Sequence, residues 1–286
     1  MVDSQIRNYI SRMPSFSTTV TKVLQICNRP DTSPMDLNRV ISLDPVLTGV
    51  LLKLVNSAYY SLGKEVSSVP QAIILLGINT VKNLALSTAV IGSIGHHDAQ
   101  GGLSREDFWV HSLGVGVISR SLAELRGVPA EAREDYFVAG LLHDLGKIPL
   151  DHCYPAQYPL VLEAVRRERV SLAETERVFL GTDHGAVGAL IAEKWRLHRD
   201  LLEVMFHHHD HQREGFVNSP FLMVVALGNL CANLWQIGSA GEVLSDTPLA
   251  ERLRERLQLT PFQILSVRDR VVEDIDKARV FLQVAR

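Results

Sequence analysis

The chain has 286 residues, of which 46% are hydrophobic and 21% charged, a composition typical of a globular protein and not of a disordered one. A net charge of -3 gives no electrostatic attraction to nucleic acid or to an anionic membrane, so neither is expected as a partner. The three cysteines, Cys27, Cys153 and Cys231, form no CxxC pair, which favours a reducing compartment and argues against a thiolate metal site.

The N-terminal segment MVDSQIRNYISRMP lacks the apolar region of a signal peptide. In addition, no apolar run along the chain approaches the ~18 residues that a membrane-spanning helix needs. The sequence therefore predicts a soluble, cytoplasmic protein.

Helical patterns follow one another through the N-terminal part of the chain. The segment STTVTKVLQICNRP predicts a helix that stops at Pro30, and SPMDLNRVISLDP predicts one that starts at Ser33 and ends before Pro45. Pro45 opens the next helix at a favoured first-turn position, and Gly77 is expected to interrupt the long apolar segment that follows. No segment shows the sustained alternation of a β-strand, so the sequence predicts an all-α fold.

The polar, glycine-rich segment GHHDAQGGLSRED is the clearest seam in the sequence. It suggests an N-terminal helical lobe over residues 1–98, a second helical lobe over residues 99–240 and a C-terminal helical extension over residues 241–286. Ser104 and Asp107 offer a capping box for the first helix after the seam.

The histidines of the second lobe fall on inward helix faces. His111 lies on the apolar face of its helix, and His184 lies in the first turn of another. In the tract LLEVMFHHHDH, helical phase places His208 and His209 on apolar stripes and His207 on a charged one. We therefore expect His208 and His209 to point inward and His207 to face solvent.

The segment AGLLHDLGKIPLD places His143 and Asp144 within an apolar run. A buried histidine beside a buried aspartate is costly unless the two satisfy one another or both bind a metal ion. Gly146 is expected to end the helix, after which Lys147 can reach an anion.

Six side chains on four helices are thus expected to converge: His111, His143, Asp144, His184, His208 and His209. Imidazole nitrogens and a carboxylate form a donor set for Fe, Mn, Zn or Ni, and a carboxylate can bridge two ions. Each histidine alone is more often a hydrogen-bonded core residue. The set together predicts metal binding, because so many unpaired buried imidazoles would each carry a desolvation cost.

The stretch LLHDLGKI resembles the signature of the HD superfamily, metal-dependent phosphohydrolases that include the HD-GYP cyclic-di-GMP phosphodiesterases. The segments MPSFSTTVTKVL, VISLDPVLTGVLLKLVNSAYYS and SSVPQAIILLGINTVKNLAL resemble the narrower HDOD family, and the resemblance covers all but about the last fifty residues. It implies an all-α, multi-helix HD-superfamily bundle and a bacterial signalling role. HDOD proteins are often degenerate in the HD ligands and are usually regarded as regulatory or interaction modules.

By motif matching, the resemblance assigns metal-ligand positions to the same six side chains and places Lys147 where HD-GYP enzymes hold the substrate phosphate. Asn229, in VVALGNLCANLW, stands at the position of the superfamily's final aspartate ligand. A neutral amide should hold the ion shared with His111 and His143 more weakly. No GYP tripeptide follows HHHDHQREG, so the recognition loop for cyclic-di-GMP is missing.

Two functions remain open from the sequence. The first is an HDOD-type regulatory module that binds one or two divalent transition-metal ions, with Fe or Mn ahead of Zn or Ni, and that can also take a nucleotide. Because no receiver, EAL or other output domain is recognisable, such a module is expected to act on a signalling protein partner in trans. The second is a metal-dependent phosphohydrolase acting on a nucleotide or cyclic dinucleotide, with Asp144 and Lys147 as catalytic residues. The family pattern favours the first.

Overall fold

The computed structural model describes residues 2–27, 29, 31–94, 102–243 and 246–284. Every regular element in this part of the chain is an α-helix, which confirms the predicted all-α fold. The predicted stop at Pro30 and the predicted lobe boundary at residues 98 and 99 lie outside the described residues. The division into three lobes stays a prediction.

The helices follow in chain order: α1 (Ser4–Arg12), α2 (Thr18–Cys27), α3 (Pro34–Ile41), α4 (Pro45–Val55), α5 (Val69–Ile94), α6 (Arg105–Leu125), α7 (Ala130–Leu142), α8 (Lys147–Cys153), α9 (Tyr158–Glu168), α10 (Leu172–Leu180), α11 (His184–Lys194), α12 (Arg199–His207), α13 (Glu214–Val217), α14 (Pro220–Leu234), α15 (Thr247–Arg256), α16 (Pro261–Ala278) and α17 (Val280–Val284).

Helix starts in the N-terminal part follow the sequence signals. Ser33 caps α3 through a reciprocal capping box with Asp36, and Asp44 caps α4, which begins at Pro45. Gly77 interrupts α5 with φ 84° and ψ 161°, a conformation that side chains with a Cβ rarely adopt. The predicted break at this glycine is therefore confirmed.

Helix α5 corrects one expectation from the sequence. It is long and apolar enough, by length and composition, to cross a membrane, with a mean hydropathy of 1.5 over an 18-residue window. The prediction that no apolar run approaches this length is therefore wrong. The helix was overlooked because Asn79, Lys82 and Asn83 interrupt the run of apolar residues, although they lower its mean hydropathy little. Within the protein, 56% of this window is buried, as expected for a core helix that packs against α2, α3, α4 and α7.

The polar residues of α5 fasten it to α7. The side-chain amides of Asn79 and Asn83 donate to the carboxylate of Asp135 at 2.9 and 2.8 Å, and Lys82 Nζ lies 3.5 Å from the same carboxylate. Helix α7 is therefore joined to α5 through Asp135, while its C-terminal end leads into the His143–Asp144 segment.

Two close approaches set the positions of the histidine-bearing helices. A Cβ added to Gly140 would lie 2.7 Å from the Gly116 backbone, so α6 and α7 pack closer there than any larger residue allows. A Cβ added to Gly146 would lie within van der Waals overlap of the His184 carbonyl oxygen, which brings the turn after α7 against the start of α11. The sequence suggested that Gly146 ends α7, and this prediction is wrong. Helix α7 ends at Leu142, and Gly146 directly precedes α8.

Candidate metal centre

The structure brings the six predicted side chains together around Asp144. His111 lies in α6, His143 and Asp144 lie in the turn after α7, His184 is the first residue of α11, and His208 and His209 follow one another at the end of α12. All of them are at most 1% exposed except His209, which is partly exposed. A pentad of buried residues and one partly exposed histidine therefore form one cluster.

On one side of the carboxylate, three histidines face Oδ1 of Asp144. Nε2 of His184 and Nε2 of His208 each lie 3.4 Å from this oxygen. His209 joins them, since one ligand atom from each of the four residues lies within 4.8 Å of the others. We call these four residues the Oδ1 half-site.

On the other side, two histidines face Oδ2 of Asp144. Nε2 of His143 lies 3.2 Å from this oxygen and Nε2 of His111 lies 3.9 Å from it. Oδ1 of Asn229 lies 3.0 Å from Nε2 of His111, so the neutral amide stands on this side of the cluster. We call these four residues the Oδ2 half-site.

Lys147 also lies on the Oδ2 side. Its Nζ donates to Oδ2 of Asp144 at 2.6 Å, and the residue is 1% exposed. The ammonium group is thus engaged with the candidate metal ligand and shielded from solvent. In this geometry it does not reach toward the surface.

The second ring nitrogens explain why the cluster can bind a cation. In three of the histidines Nδ1 lies at hydrogen-bond distance from an oxygen that can only accept, so Nδ1 donates its proton there and Nε2 is left to face the cluster. The acceptors are Gly140 O for His143 at 2.7 Å, Val204 O for His208 at 2.9 Å and Glu176 Oε2 for His184 at 2.6 Å. His111 differs, because its Nδ1 lies 3.2 Å from Ile237 O and its Nε2 lies 3.0 Å from Oδ1 of Asn229, which also only accepts.

Several of these electron-rich atoms have no partner among the described residues. His143 Nε2, Asp144 Oδ1 and His209 Nε2 are buried without a hydrogen bond. Nε2 of His184 and Nε2 of His208 face one another at 3.4 Å, while Nδ1 of each ring bonds to an acceptor outside the cluster. Buried lone pairs that converge in this way are costly unless a cation lies between them, so the residues fit a divalent transition-metal ion.

Burial keeps the imidazoles in the neutral form that ligates metals. It lowers the pKa of His111 to about 4 and that of His208 to about 3. Burial, together with the neighbouring His208 and His184, also holds the pKa of His209 well below its usual value. These rings are therefore unprotonated at neutral pH, with no proton to remove before an ion binds.

The carboxylate of Asp144 stays ionised despite its burial. Burial alone would raise its pKa, but the neighbouring His143 and the ammonium group of Lys147 outweigh burial and lower the pKa well below its usual range. At neutral pH the cluster thus presents a carboxylate beside the neutral rings of His111, His208 and His209, a charge state that favours a divalent cation.

The sequence did not reveal Glu176, which supports the cluster from behind. Its Oε2 accepts Nδ1–H and the backbone N–H of His184, and its Oε1 accepts the hydroxyl proton of Tyr158 at 2.9 Å. Glu176 is fully buried, on the same inward face of α10 as Leu172 and Ala173. A glutamate on an apolar stripe was the signal that could have identified it.

His207 stands apart from the cluster. Its ring nitrogens lie 3.8 Å from Glu203 and 3.6 Å from Asp210, and it belongs to neither half-site. The helical phase thus separates it from His208 and His209 as expected. Its exposure is nonetheless small, at 14% of the side chain, because its ring packs against Phe206.

A cleft of about 670 Å³ reaches the cluster from the side of His209. The cleft lies between α10, α12 and α15, and His209 is the one member of the cluster that lines it. Charged residues of both signs surround it: Glu174, Arg177, Asp183, Asp210, Asp246, Arg252 and Arg256. A small ligand entering this cleft would meet the Oδ1 half-site first.

Comparison with known proteins gives a family and several similar folds. The family model of the HDOD domain matches residues 13–211. An uncharacterized protein from Treponema pallidum (strain Nichols) is 24% identical over 227 residues, which are 79% of this chain and 43% of that protein. The chain therefore spans less than half the length of that relative.

Three solved structures share the fold over nearly the whole chain. An HDOD domain protein of unknown function from Geobacter sulfurreducens has a TM-score of 0.75 and 24% identity, with 97% of this chain and 96% of that chain covered. A proposed phosphohydrolase from Shewanella amazonensis SB2B has a TM-score of 0.74 and 22% identity, with 97% and 98% covered. A proposed signal transduction protein from Marinobacter aquaeolei VT8 has a TM-score of 0.75 and 19% identity, with 100% and 62% covered.

Proposed function

The chain belongs to the HDOD family, and from that premise we propose that it is a regulatory module that holds a divalent transition-metal ion and acts on a signalling protein partner in trans. One observation carries the proposal. Nε2 of His184 and Nε2 of His208 converge at 3.4 Å on Oδ1 of Asp144, a buried oxygen without a hydrogen bond to the described residues. Such an arrangement is stable when a cation occupies it.

The Oδ1 half-site would hold the ion. Three imidazoles and a carboxylate suit Fe or Mn, and Zn or Ni are compatible with the same donors. When bound, the ion would supply positive charge and coordination bonds that join the end of α7, the start of α11 and the end of α12. His184, His208 and Asp144 each come from a different one of these segments, so occupancy would change how firmly they are held together.

Helix α7 offers a route from the cluster to the N-terminal helices. Its C-terminal end leads directly to Asp144, while Glu134 and Asp135 on the same helix bind residues from the N-terminal part of the chain. Glu134 accepts the hydroxyl proton of Tyr60 at 3.3 Å and pairs with Arg120 of α6 at 3.0 Å. Ligation at one end of α7 would therefore bear on the contacts of the whole helix, which supports a regulatory role.

The burial of Asp144 and Lys147 is the reason why we place the phosphohydrolase second to the regulatory module. Asp144 is fully buried, and Lys147 is paired with it and 1% exposed. A phosphodiester would need access to both residues for them to act as catalytic groups. The cleft at His209 keeps phosphohydrolysis as the second candidate, because Arg252 and Arg256 line it and their guanidinium groups suit a nucleotide phosphate.

Hydrogen exchange tests the regulatory proposal. We expect Mn²⁺ loading to slow amide exchange at the C-terminal turn of α7 and at the α5–α7 contact, relative to EDTA-treated protein. His207→Ala, which leaves the cluster intact, should show the same response. Metal binding without any change at the α5–α7 contact would contradict the regulatory role while leaving the metal site in place.

Turnover tests the second candidate. We expect bis-p-nitrophenyl phosphate and cyclic dinucleotides to be hydrolysed slowly or not at all, even with added Mn²⁺ or Fe²⁺. Metal-dependent turnover that is lost in both Lys147→Ala and Arg252→Ala would reverse the order of the two functions. The second variant matters because Arg252 lies at the exposed cleft, so its loss does not disturb the buried cluster.

A further inference from the structure

The ammonium group of Lys147 lies at the oxygen of Asp144 to which a second ion would bind. We propose that Lys147 is a built-in cation of the Oδ2 half-site and limits the chain to one bound metal ion. The inference rests on the proposed metal site at Oδ1, and it assigns the lysine a role on the protein's own carboxylate in place of a substrate phosphate.

The geometry places Lys147 in direct competition with an ion. Its Nζ lies 2.6 Å from Oδ2 of Asp144, closer than Nε2 of His143 at 3.2 Å and Nε2 of His111 at 3.9 Å. An ion bound to this oxygen would lie about 2.0–2.2 Å from it. It would therefore be in close contact with the ammonium group, which binds the same oxygen. A divalent ion and an ammonium group that share one carboxylate oxygen would repel strongly in a buried site.

The lysine has no easy route away from this oxygen. It is 1% exposed, its neighbours Leu145 and Ile148 are buried in the core, and Gly146 is pressed against the start of α11. An ammonium group displaced from Asp144 would therefore stay in the buried interior unless the packed side chains around it moved. Lys147 is therefore held in place as a fixed charge.

Charge balance also favours one ion. The buried carboxylates of Asp144 and Glu176 together with the ammonium of Lys147 leave one net negative charge, which a single divalent ion reverses to one positive charge. A second divalent ion would leave three positive charges in a site without solvent, and Asn229 contributes no charge to offset them. The Oδ1 half-site has three imidazoles, and the ammonium group of Lys147 contacts the other carboxylate oxygen, so it is the half-site that an ion would fill.

The test is the number of Mn²⁺ ions per chain. Native mass spectrometry and elemental analysis would be performed on the full chain after reconstitution, and electron paramagnetic resonance would show whether two Mn²⁺ ions are magnetically coupled. We expect one ion and an uncoupled spectrum for the unmodified protein. Lys147→Met, which keeps an unbranched side chain one atom shorter and removes the charge, should bind a second ion and show coupling.

Controls separate the lysine from the site as a whole. Lys147→Arg, which keeps the charge, should bind one ion, and Lys147→Gln provides a second neutral variant should the methionine variant fail to fold. Two ions in the unmodified protein, or one ion in both neutral variants, would overturn the inference and leave the proposed metal site standing. No ion in the folded, unmodified protein at saturating Mn²⁺ would overturn the metal site itself, and the inference with it.

Discussion

Oε2 of Glu176 lies 2.6 Å from Nδ1 of His184 and 2.8 Å from the backbone nitrogen of the same residue. One carboxylate oxygen therefore fixes both the ring and the first backbone N–H of α11, and it turns Nε2 of His184 toward Oδ1 of Asp144. A carboxylate behind a metal-binding histidine orients the ring and raises its basicity. The pKa of His184 is accordingly raised: burial opposes protonation, but Glu176 and Asp144 outweigh it.

We expect Glu176→Gln to weaken metal binding by about 10–100-fold, as is usual when the residue behind a metal-binding histidine is changed. The amide can still accept a hydrogen bond but brings no negative charge. Competition with a chromophoric chelator would measure the affinity for Zn²⁺ or Mn²⁺. Glu174→Gln, on the exposed face of the same helix, is the matched control and should bind metal as the unmodified protein does. Equal affinities for the two variants would show that Glu176 does not support the ligand.

The helical phase of the triple histidine predicts that alanine substitutions of the three residues have unequal effects on the stabilisation of the protein by metal. His208→Ala and His209→Ala should lose the stabilisation that bound metal provides, which is about 2.7 kcal/mol at a free metal concentration 100 times Kd. His207→Ala should retain it, because this ring contacts Glu203 and Asp210 outside the cluster. Thermal unfolding with and without metal measures the difference. Similar behaviour of all three variants would contradict the assignment of faces.

In the Lys147→Met background, where the Oδ2 half-site is open to an ion, Asn229→Asp should increase the affinity of that half-site by at least about tenfold. Opposite unit charges 4 Å apart attract by about 4 kcal/mol at an effective dielectric constant of about 20. A tenfold gain in affinity requires only ~1.4 kcal/mol of this attraction. The new carboxylate would lie beside His111, where the amide oxygen now stands at 3.0 Å. Isothermal titration with Mn²⁺ measures the change. An unaltered titration would show that the amide is not a ligand position.

Gly146→Ala should unfold the protein or destabilise it by about 3 kcal/mol or more, since overpacking against backbone cannot be relieved by a rotamer change. The added Cβ would overlap the His184 carbonyl oxygen and lie 2.6 Å from the Gly188 nitrogen. Gly49→Ala is the control: no atom lies within 4 Å of its Cβ position in α4, so helix propensity should stabilise it by about 0.5–1 kcal/mol. Chemical denaturation would compare the two. A well-folded Gly146→Ala protein would contradict the close packing of the turn on α11.

The sequence predicted the local features well because their causes are local. The helix start at Ser33, the proline start at Pro45 and the break at Gly77 depend on residues within one turn of each other. Helical phase likewise separated His207 from His208, because both lie on one helix end and their directions follow from its periodicity.

The sequence could not predict what depends on contacts between distant helices. Glu176 is identified only once α10 is placed behind His184, and the direction of the Lys147 ammonium follows from where Asp144 lies in the folded chain. The role of Gly146 was missed for the same reason, since its tight contact is with α11, thirty-eight residues later. Such close approaches leave no periodic pattern in the sequence.

The most direct test of the central claim is the metal content of the purified full chain, expressed with added iron and manganese and measured by elemental analysis. The arrangement around Asp144 predicts one transition-metal ion per chain, reduced to background in folded Asp144→Asn and His184→Ala variants, whereas His207→Ala keeps it. A folded, unmodified protein that carries no metal after incubation with Mn²⁺, Fe²⁺, Zn²⁺ and Ni²⁺ would contradict the account.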